Sequence, residues 1–174
     1  LWLLFWGGVL SVIGSFIPNL EGILALGALA LDLLGLNAAG REDSGYRTAF
    51  FLTLANLAVQ FLSGVLSVLA EGPLWTLANL ASVALSCLCI YYVCATTARL
   101  LDSRDAALAR RGELVWKITA GSFGVLAVCA VLALVPLINL LAGLTAIAVA
   151  LAQTVTLAVY LIFLYQASGV FKNW

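Results

Sequence analysis

Six apolar runs, separated by short polar patches, constrain this chain more than any other feature. They cover residues 1–17, about 20–37, 46–70, 74–98, 114–135 and about 137–167. Apolar stretches of about 18 residues or more are typical of transmembrane helices, because about 20 helical residues cross the hydrocarbon core. The pattern predicts an all-α polytopic membrane protein with six transmembrane helices.

The composition favours the same class. Hydrophobic residues make up 64% of the chain and charged residues 9%, whereas about a quarter of the residues in soluble domains are charged. The formal net charge is zero, which argues against nucleic-acid binding, since that requires a basic surface. The expected partner is the lipid bilayer, together with a homo-oligomeric or membrane-protein partner.

Three prolines, Pro18, Pro73 and Pro136, each stand between two apolar runs. Proline suits the first turn of a helix, because its φ is fixed and the missing N–H is not needed there. We therefore expect one transmembrane bundle over residues 1–174, built from three helical hairpins at about 1–37, 46–98 and 114–168. Gly169 is the expected C-cap of the sixth helix. At about 30 residues that helix is too long for a perpendicular crossing, so it must tilt, protrude or break near Gly143.

All eight lysines and arginines lie on the side of the predicted bundle opposite the prolines, which carries both termini. Cytoplasmic loops of membrane proteins are enriched in these residues. We expect both termini to be cytoplasmic. Aromatic residues are expected to form interfacial belts. Trp75 would lie at the outer face. The residues expected at the cytoplasmic face are Trp2, Trp6, Tyr46, Trp116 and Tyr165.

Small or polar residues recur at spacings of three and four along several runs, which places them on one helix face. The third run carries Ala49, Thr53, Asn56, Gln60, Ser63 and Ser67, and the fourth carries Asn79, Ser82, Ser86, Cys89 and Thr96. Membrane helices pack through such faces, so we expect these stripes to face one another. The alternative is a solvated path between the third and fourth helices.

Asp32 is the one ionisable residue well inside an apolar run. An intramembrane carboxylate is costly and marks a candidate functional site. As a proton or cation site it would lie with Asn56, Gln60 and Gln153. The alternative is structural: Asp32 lies roughly 8–10 Å along the helix from a polar patch, within reach of Arg41, Arg47 or Arg99.

The segment from residue 99 to residue 117 holds five of the eight cations, Arg99, Arg104, Arg110, Arg111 and Lys117. We expect helix four to continue to about Arg110 before Gly112 breaks it. The segment is either a solvated connection or a contact loop for a cytoplasmic partner or anionic lipid headgroups. The patch REDSGYR at 41–47 has the same two interpretations.

No catalytic, metal or cofactor site is predicted. Histidine is absent, so neither a Ser-His nor a Cys-His pair exists. The four cysteines lie in apolar runs and are interpreted as small buried hydrophobes. The chain begins at Leu1 in apolar sequence without a basic n-region, so we expect the edge of a longer native chain rather than a signal peptide.

The runs GREDSGYRTAF, YYVCATTARLL, GELVWKI and TLAVYLIFLYQASG resemble those of small multi-pass membrane proteins of Firmicutes-type bacteria. The resemblance covers most of the chain and implies a bacterial inner-membrane location. It implies no activity and no functional residues. The six-helix length is also similar to the substrate-binding subunits of energy-coupling-factor transporters, although the long outer loop of those proteins is absent here.

Two functional hypotheses follow, beside a third, an enzyme acting on lipid, for which the sequence shows no catalytic constellation. The first is a non-enzymatic integral membrane protein that acts through helix association, as a homo-oligomer or an accessory subunit. The second is a carrier or channel for a small solute or ion, using Asp32 and the Asn56/Gln60 stripe. Replacement of Asp32 by asparagine discriminates between them, because only a carrier loses transport while it stays folded.

Overall fold

The computed structural model describes residues 1–17, 20–69, 73–132 and 139–172. Six α-helices occupy this part of the chain, and no strand is found within it. They are α1 (Trp2–Phe16), α2 (Glu21–Ala39), α3 (Ser44–Leu69), α4 (Pro73–Leu101), α5 (Ala106–Leu132) and α6 (Asn139–Lys172). The predicted all-α class is confirmed.

Four helices are long and apolar enough to cross a membrane. The qualifying segments are Gly22–Ala39, Ser44–Val65, Leu80–Leu101 and Gln153–Phe171, in α2, α3, α4 and α6. Helix α1 is apolar but has only 15 residues, and α5 carries four charged residues between positions 110 and 117. These four helices are consistent with an integral membrane protein, whereas α1 and α5 do not meet both the length and the composition expected of a span.

The helices form a closed ring. Each helix packs against the next one along the chain, and α1 also packs against α6. We call the end of the ring that carries the connections 40–43 and 102–105 the charged end. Two buried apolar clusters lie in the half of the ring nearest this end. One includes Leu101, Val115 and Phe163, and the other includes Leu36 and Val93.

The predicted boundary between the fourth and fifth helices is wrong. Helix α4 ends at Leu101 and α5 begins at Ala106, because the Asp105 side chain accepts a hydrogen bond of 2.9 Å from the N–H of Leu108 and so caps a new helix. Gly112 lies inside α5 and does not break it. The absence of a side chain there admits the ring of Phe163, whose Cζ would lie 2.6 Å from a Cβ on Gly112.

Helix α6 is continuous through Gly143 and extends past Gly169 to Lys172, so the expected C-cap at Gly169 is wrong. No glycine in the described ranges has the positive φ that a glycine cap of this kind requires. Its 34 residues span roughly 51 Å, which favours tilt or protrusion over a break. Pro73 is the first residue of α4, as expected, whereas Pro18 and Pro136 lie outside the described residues.

Candidate functional site

Helices α3 and α4 are joined by a series of side-chain hydrogen bonds that we call the polar ladder. Its pairs are Thr53–Cys89 (3.3 Å), Asn56–Ser86 (3.0 Å), Asn56–Ser82 (2.7 Å) and Gln60–Ser82 (3.4 Å). The Asn56 amide donates through Nδ2 and accepts through Oδ1, so both of its polar ends are used. The prediction that these two stripes face each other is confirmed.

Nearer the charged end, a further side-chain hydrogen bond joins α3 to α4 through a buried tyrosine. The hydroxyls of Tyr46 and Thr97 lie 2.7 Å apart, and Tyr46 is only 3% exposed. The expected place of Tyr46 in an interfacial belt is therefore wrong. Its hydroxyl has a partner inside the protein, which allows the ring to be buried. Trp2, Trp6 and Tyr165 are about half exposed, and Trp2 lies close to both of the other rings at the surface.

Asp32 lies against α1, at the point where α1 has no side chain. Its Oδ1 occupies the position that a Cβ on Gly7 would take, and the Ala28 carbonyl oxygen lies 3.1 Å from the same position. Asp32 of α2 is therefore packed directly against the backbone of α1.

The expected pairing of Asp32 with an arginine does not form. Within the described ranges, no side chain makes an ion pair or a hydrogen bond with Asp32. Arg99 instead pairs with Asp43. Both residues lie at the charged end, so the arginine does not have to extend toward the interior of the bundle. Asp32 is thus a half-buried carboxylate that no described cation neutralises.

The other predicted site residues divide into two groups. Asn56 and Gln60 belong to the polar ladder, whose hydrogen bonds join α3 to α4 and do not include Asp32. Gln153 lies on α6 and its buried Nε2 has no hydrogen-bond partner among the described residues. It is two helical turns from Tyr160 on the same face. In the described ranges, no hydrogen bond joins Asp32 to Asn56, Gln60 or Gln153.

Asp43 caps α3 at the charged end. Its Oδ1 accepts a hydrogen bond of 2.8 Å from the backbone N–H of Gly45, and its Oδ2 accepts one from Arg99. The backbone hydrogen bond from Gly45, followed by the contacts with Arg99, lowers the pKa of Asp43. Because hydrogen bonds to the ionised form favour it, this carboxylate ties the start of α3 to the end of α4.

Most cations of the 99–117 segment have contacts within the chain. Lys117 pairs with Glu113 at 2.8 Å, which lowers the pKa of Glu113, and Arg111 donates a hydrogen bond of 3.3 Å to Gln166. The Arg104 guanidinium lies 5.2 Å from the ring centre of Phe171, and Arg110 is exposed. Arg99, Arg104 and Arg111 therefore connect helices at the charged end, in addition to contributing positive charge.

A cavity of about 850 Å³ opens at the charged end. Its lining combines aromatic rings with one acid and one base; the lining includes Trp2, Ala39, Glu42, Tyr46, Arg104 and Tyr165. Asp32 lies seven residues before Ala39 on α2, hence on the same helix face and about 10 Å deeper along the helix axis. The cavity wall is thus two helical turns from Asp32, which does not itself line the cavity.

The described part of the chain is thus an all-helical bundle with four helices long and apolar enough to span a membrane and with a half-buried carboxylate packed against α1. Comparison with protein-family models, curated proteins and solved structures finds no match for the chain. In the described ranges, no three His, Cys, Asp or Glu side chains are grouped so that they could hold a metal ion. A single carboxylate of this kind can take up a proton or a monovalent cation.

Sequence reasoning missed Gly7 as the neighbour of Asp32. Gly7 belongs to a small-residue stripe on α1 that continues through Ser11 and Ser15. This stripe is the signal that identifies the α1 face able to approach another helix closely. Which helices contact this face is known only from the structure, in which α1 packs against α2 and α6.

Proposed function

We propose that the protein crosses the bacterial inner membrane six times, with the charged end and both termini in the cytoplasm. The proposal is supported by the ring of six helices and by the position of every lysine and arginine on one side of the predicted bundle. Helix α1 then contributes its 15 residues as a short crossing, and α5 crosses with its apolar C-terminal part.

Within this topology, we propose that the protein is a non-enzymatic carrier or channel that takes up a proton or a small monovalent cation at Asp32. The observation that carries the proposal is the half-buried carboxylate in contact with Gly7, without a neutralising partner among the described residues. An uncompensated carboxylate in a membrane span is costly, and transient neutralisation by a proton or cation offsets that cost. We propose the cavity at the charged end, which Ala39 lines two helical turns from Asp32 on α2, as the cytoplasmic entrance to the site.

The test is flux into liposomes that contain the purified protein and a pH-sensitive or sodium-sensitive dye, under an imposed membrane potential. We expect flux through the wild-type protein and none above protein-free liposomes for Asp32→Asn. Asp102→Asn removes an exposed carboxylate from the charged end and should leave the flux unchanged. Equal flux through all three proteins, or no wild-type flux of either ion, would contradict the proposal.

Helix association is the second candidate, and one observation favours it. A Cβ on Gly121 or Gly124 of α5 would have no atom within 4 Å, so this glycine face is not used in packing within the described bundle. Close helix approach in membranes depends on such residues. Native mass spectrometry should then show a homo-oligomer or a second polypeptide that is lost in Gly124→Leu and retained in Gly169→Leu. A wild-type monomer would refute association.

A further inference from the structure

A second, smaller cavity lies at the charged end, between the end of α2 and the start of α3. It has a volume of about 480 Å³, and its lining includes Asn37, Arg41, Arg47 and Phe51. No acidic residue lines it. We call it the arginine groove.

Both arginines of the arginine groove are exposed, and neither forms an ion pair with any described residue. The nearby carboxylates are directed elsewhere, because Asp43 pairs with Arg99 and Glu42 lines the larger cavity. This pair of positive charges therefore differs from Arg99 and Lys117, which have carboxylate partners.

The end of α2 does not need the arginines as caps. Its last carbonyl groups accept backbone hydrogen bonds, including one of 2.7 Å from Gly40 to Leu36 and one of 3.0 Å from Glu42 to Ala39. The two guanidinium groups are consequently available to an external anion. Arginine binds phosphate groups through paired N–H donors, and the Asn37 amide adds a further donor.

The groove adjoins the apolar surface of α3. The Arg47 guanidinium lies 5.9 Å from the ring centre of Phe51, and Phe51 is 55% exposed. Leu54, one turn further into the membrane span, is also exposed. A ligand that fits both parts has an anionic head and an apolar tail.

We propose that the arginine groove binds the phosphate headgroup of an anionic phospholipid, with an acyl chain lying along Phe51 and Leu54. A free phosphate ion would satisfy the arginines but would leave the adjoining apolar surface unused. The site does not involve Asp32, so its failure or success is independent of ion flux.

The test is native mass spectrometry of the full chain in mixed micelles that contain phosphatidylglycerol and phosphatidylcholine. An arginine near an anionic lipid headgroup contributes about fivefold in affinity. Arg41→Gln/Arg47→Gln should therefore reduce the preference for phosphatidylglycerol roughly 25-fold. The charge-matched control is Arg110→Gln/Arg111→Gln, which removes two cations from the same end of the bundle but outside the groove, and should reduce the preference by a clearly smaller factor.

Equal losses in the two double variants would overturn the proposal, because the preference would then follow net charge and not this site. Inorganic phosphate supplies the second arm. If it displaces phosphatidylglycerol from the wild-type protein at concentrations comparable to the lipid, the site binds free phosphate and the assignment to a lipid is wrong. The conservative variant Arg41→Lys/Arg47→Lys keeps the charge and should retain part of the preference, since only the paired donors are lost.

Discussion

The substitution Gly112→Ala tests the packing of α5 against α6. A Cβ at this position would lie 2.6 Å from Cζ and 2.9 Å from Cε2 of Phe163, both far inside van der Waals contact. The ring cannot withdraw easily, because Phe163 is only 2% exposed within a cluster that includes Leu108 and Val115. We therefore expect the added methyl group to strain this cluster.

The magnitude is the sum of two opposing effects. Overpacking a core of this kind costs about 1–3 kcal/mol, whereas glycine to alanine in a helix interior gains about 1 kcal/mol. The free energy of unfolding should thus fall by about 0–2 kcal/mol. Gly121→Ala is the matched control on the same helix. Its new Cβ meets no atom within 4 Å, so only the gain applies.

The assay is unfolding of the protein in mixed micelles by a denaturing detergent, followed by circular dichroism. The expected result is that Gly112→Ala is less stable than Gly121→Ala by about 1–3 kcal/mol. Phe163→Leu should recover part of the loss in the Gly112→Ala background and should destabilise the wild-type protein, since the two positions share one contact. Equal stabilities of the two alanine variants would refute the contact and would be consistent with a helix break at Gly112.

Three further perturbations test the α1–α2 interface, the polar ladder and the α3 cap. Gly7→Ala places a methyl group on the Asp32 carboxylate and should lower the free energy of unfolding by about 1–3 kcal/mol. In the control Gly27→Ala, the new Cβ has only an ordinary contact at 3.9 Å, so no loss of stability is expected. Equal effects of the two variants would refute the close approach of α1 and α2. Asn56→Leu removes two interhelical hydrogen bonds and should cost about 1 kcal/mol by the same measurement, and an unchanged stability would show that the ladder does not hold α3 to α4. Asp43→Asn should destabilise the protein at neutral pH. Because the pKa of Asp43 is lowered in the folded protein, the difference in stability between wild type and variant should vanish as the pH falls below the ordinary carboxyl range and through that lowered value. A difference in stability that persists in acid would contradict the role of the ionised carboxylate.

The sequence was sufficient to predict the six α-helices of the described residues, because apolar runs between polar patches depend only on local composition. It also predicted the contact between the stripes of α3 and α4. Small and polar residues, among them Asn56 and Ser86, recur at spacings of three and four and so lie on one face of each helix. A short connection then brings the two faces together.

Predictions failed where a residue is governed by a partner distant in the chain. Gly112 and Gly169 were expected to end helices, but Gly112 is held inside α5 by Phe163, and Gly169 continues α6 with ordinary helical geometry. Arg99 was one of three expected partners of Asp32, yet it pairs with Asp43. Such choices depend on which helices are neighbours, and spacing within a single helix carries no information about that.

The environment of Asp32 likewise depends on which helices are neighbours. Its position in a span was evident from the sequence, whereas its contact with Gly7 requires the packing of α1 against α2. The proposal of an ion site rests on this contact and on the absence of an arginine partner among the described residues.

Infrared difference spectroscopy of the protein in lipid tests most directly the central claim, that Asp32 takes up a proton or a monovalent cation inside the bundle. We predict a carboxyl C=O band that changes with pH or with added sodium, that disappears in Asp32→Asn and that persists in Asp102→Asn. If no band in the wild-type protein responds to either ion in a manner that depends on Asp32, the carboxylate is not an ion site and the proposed function is wrong.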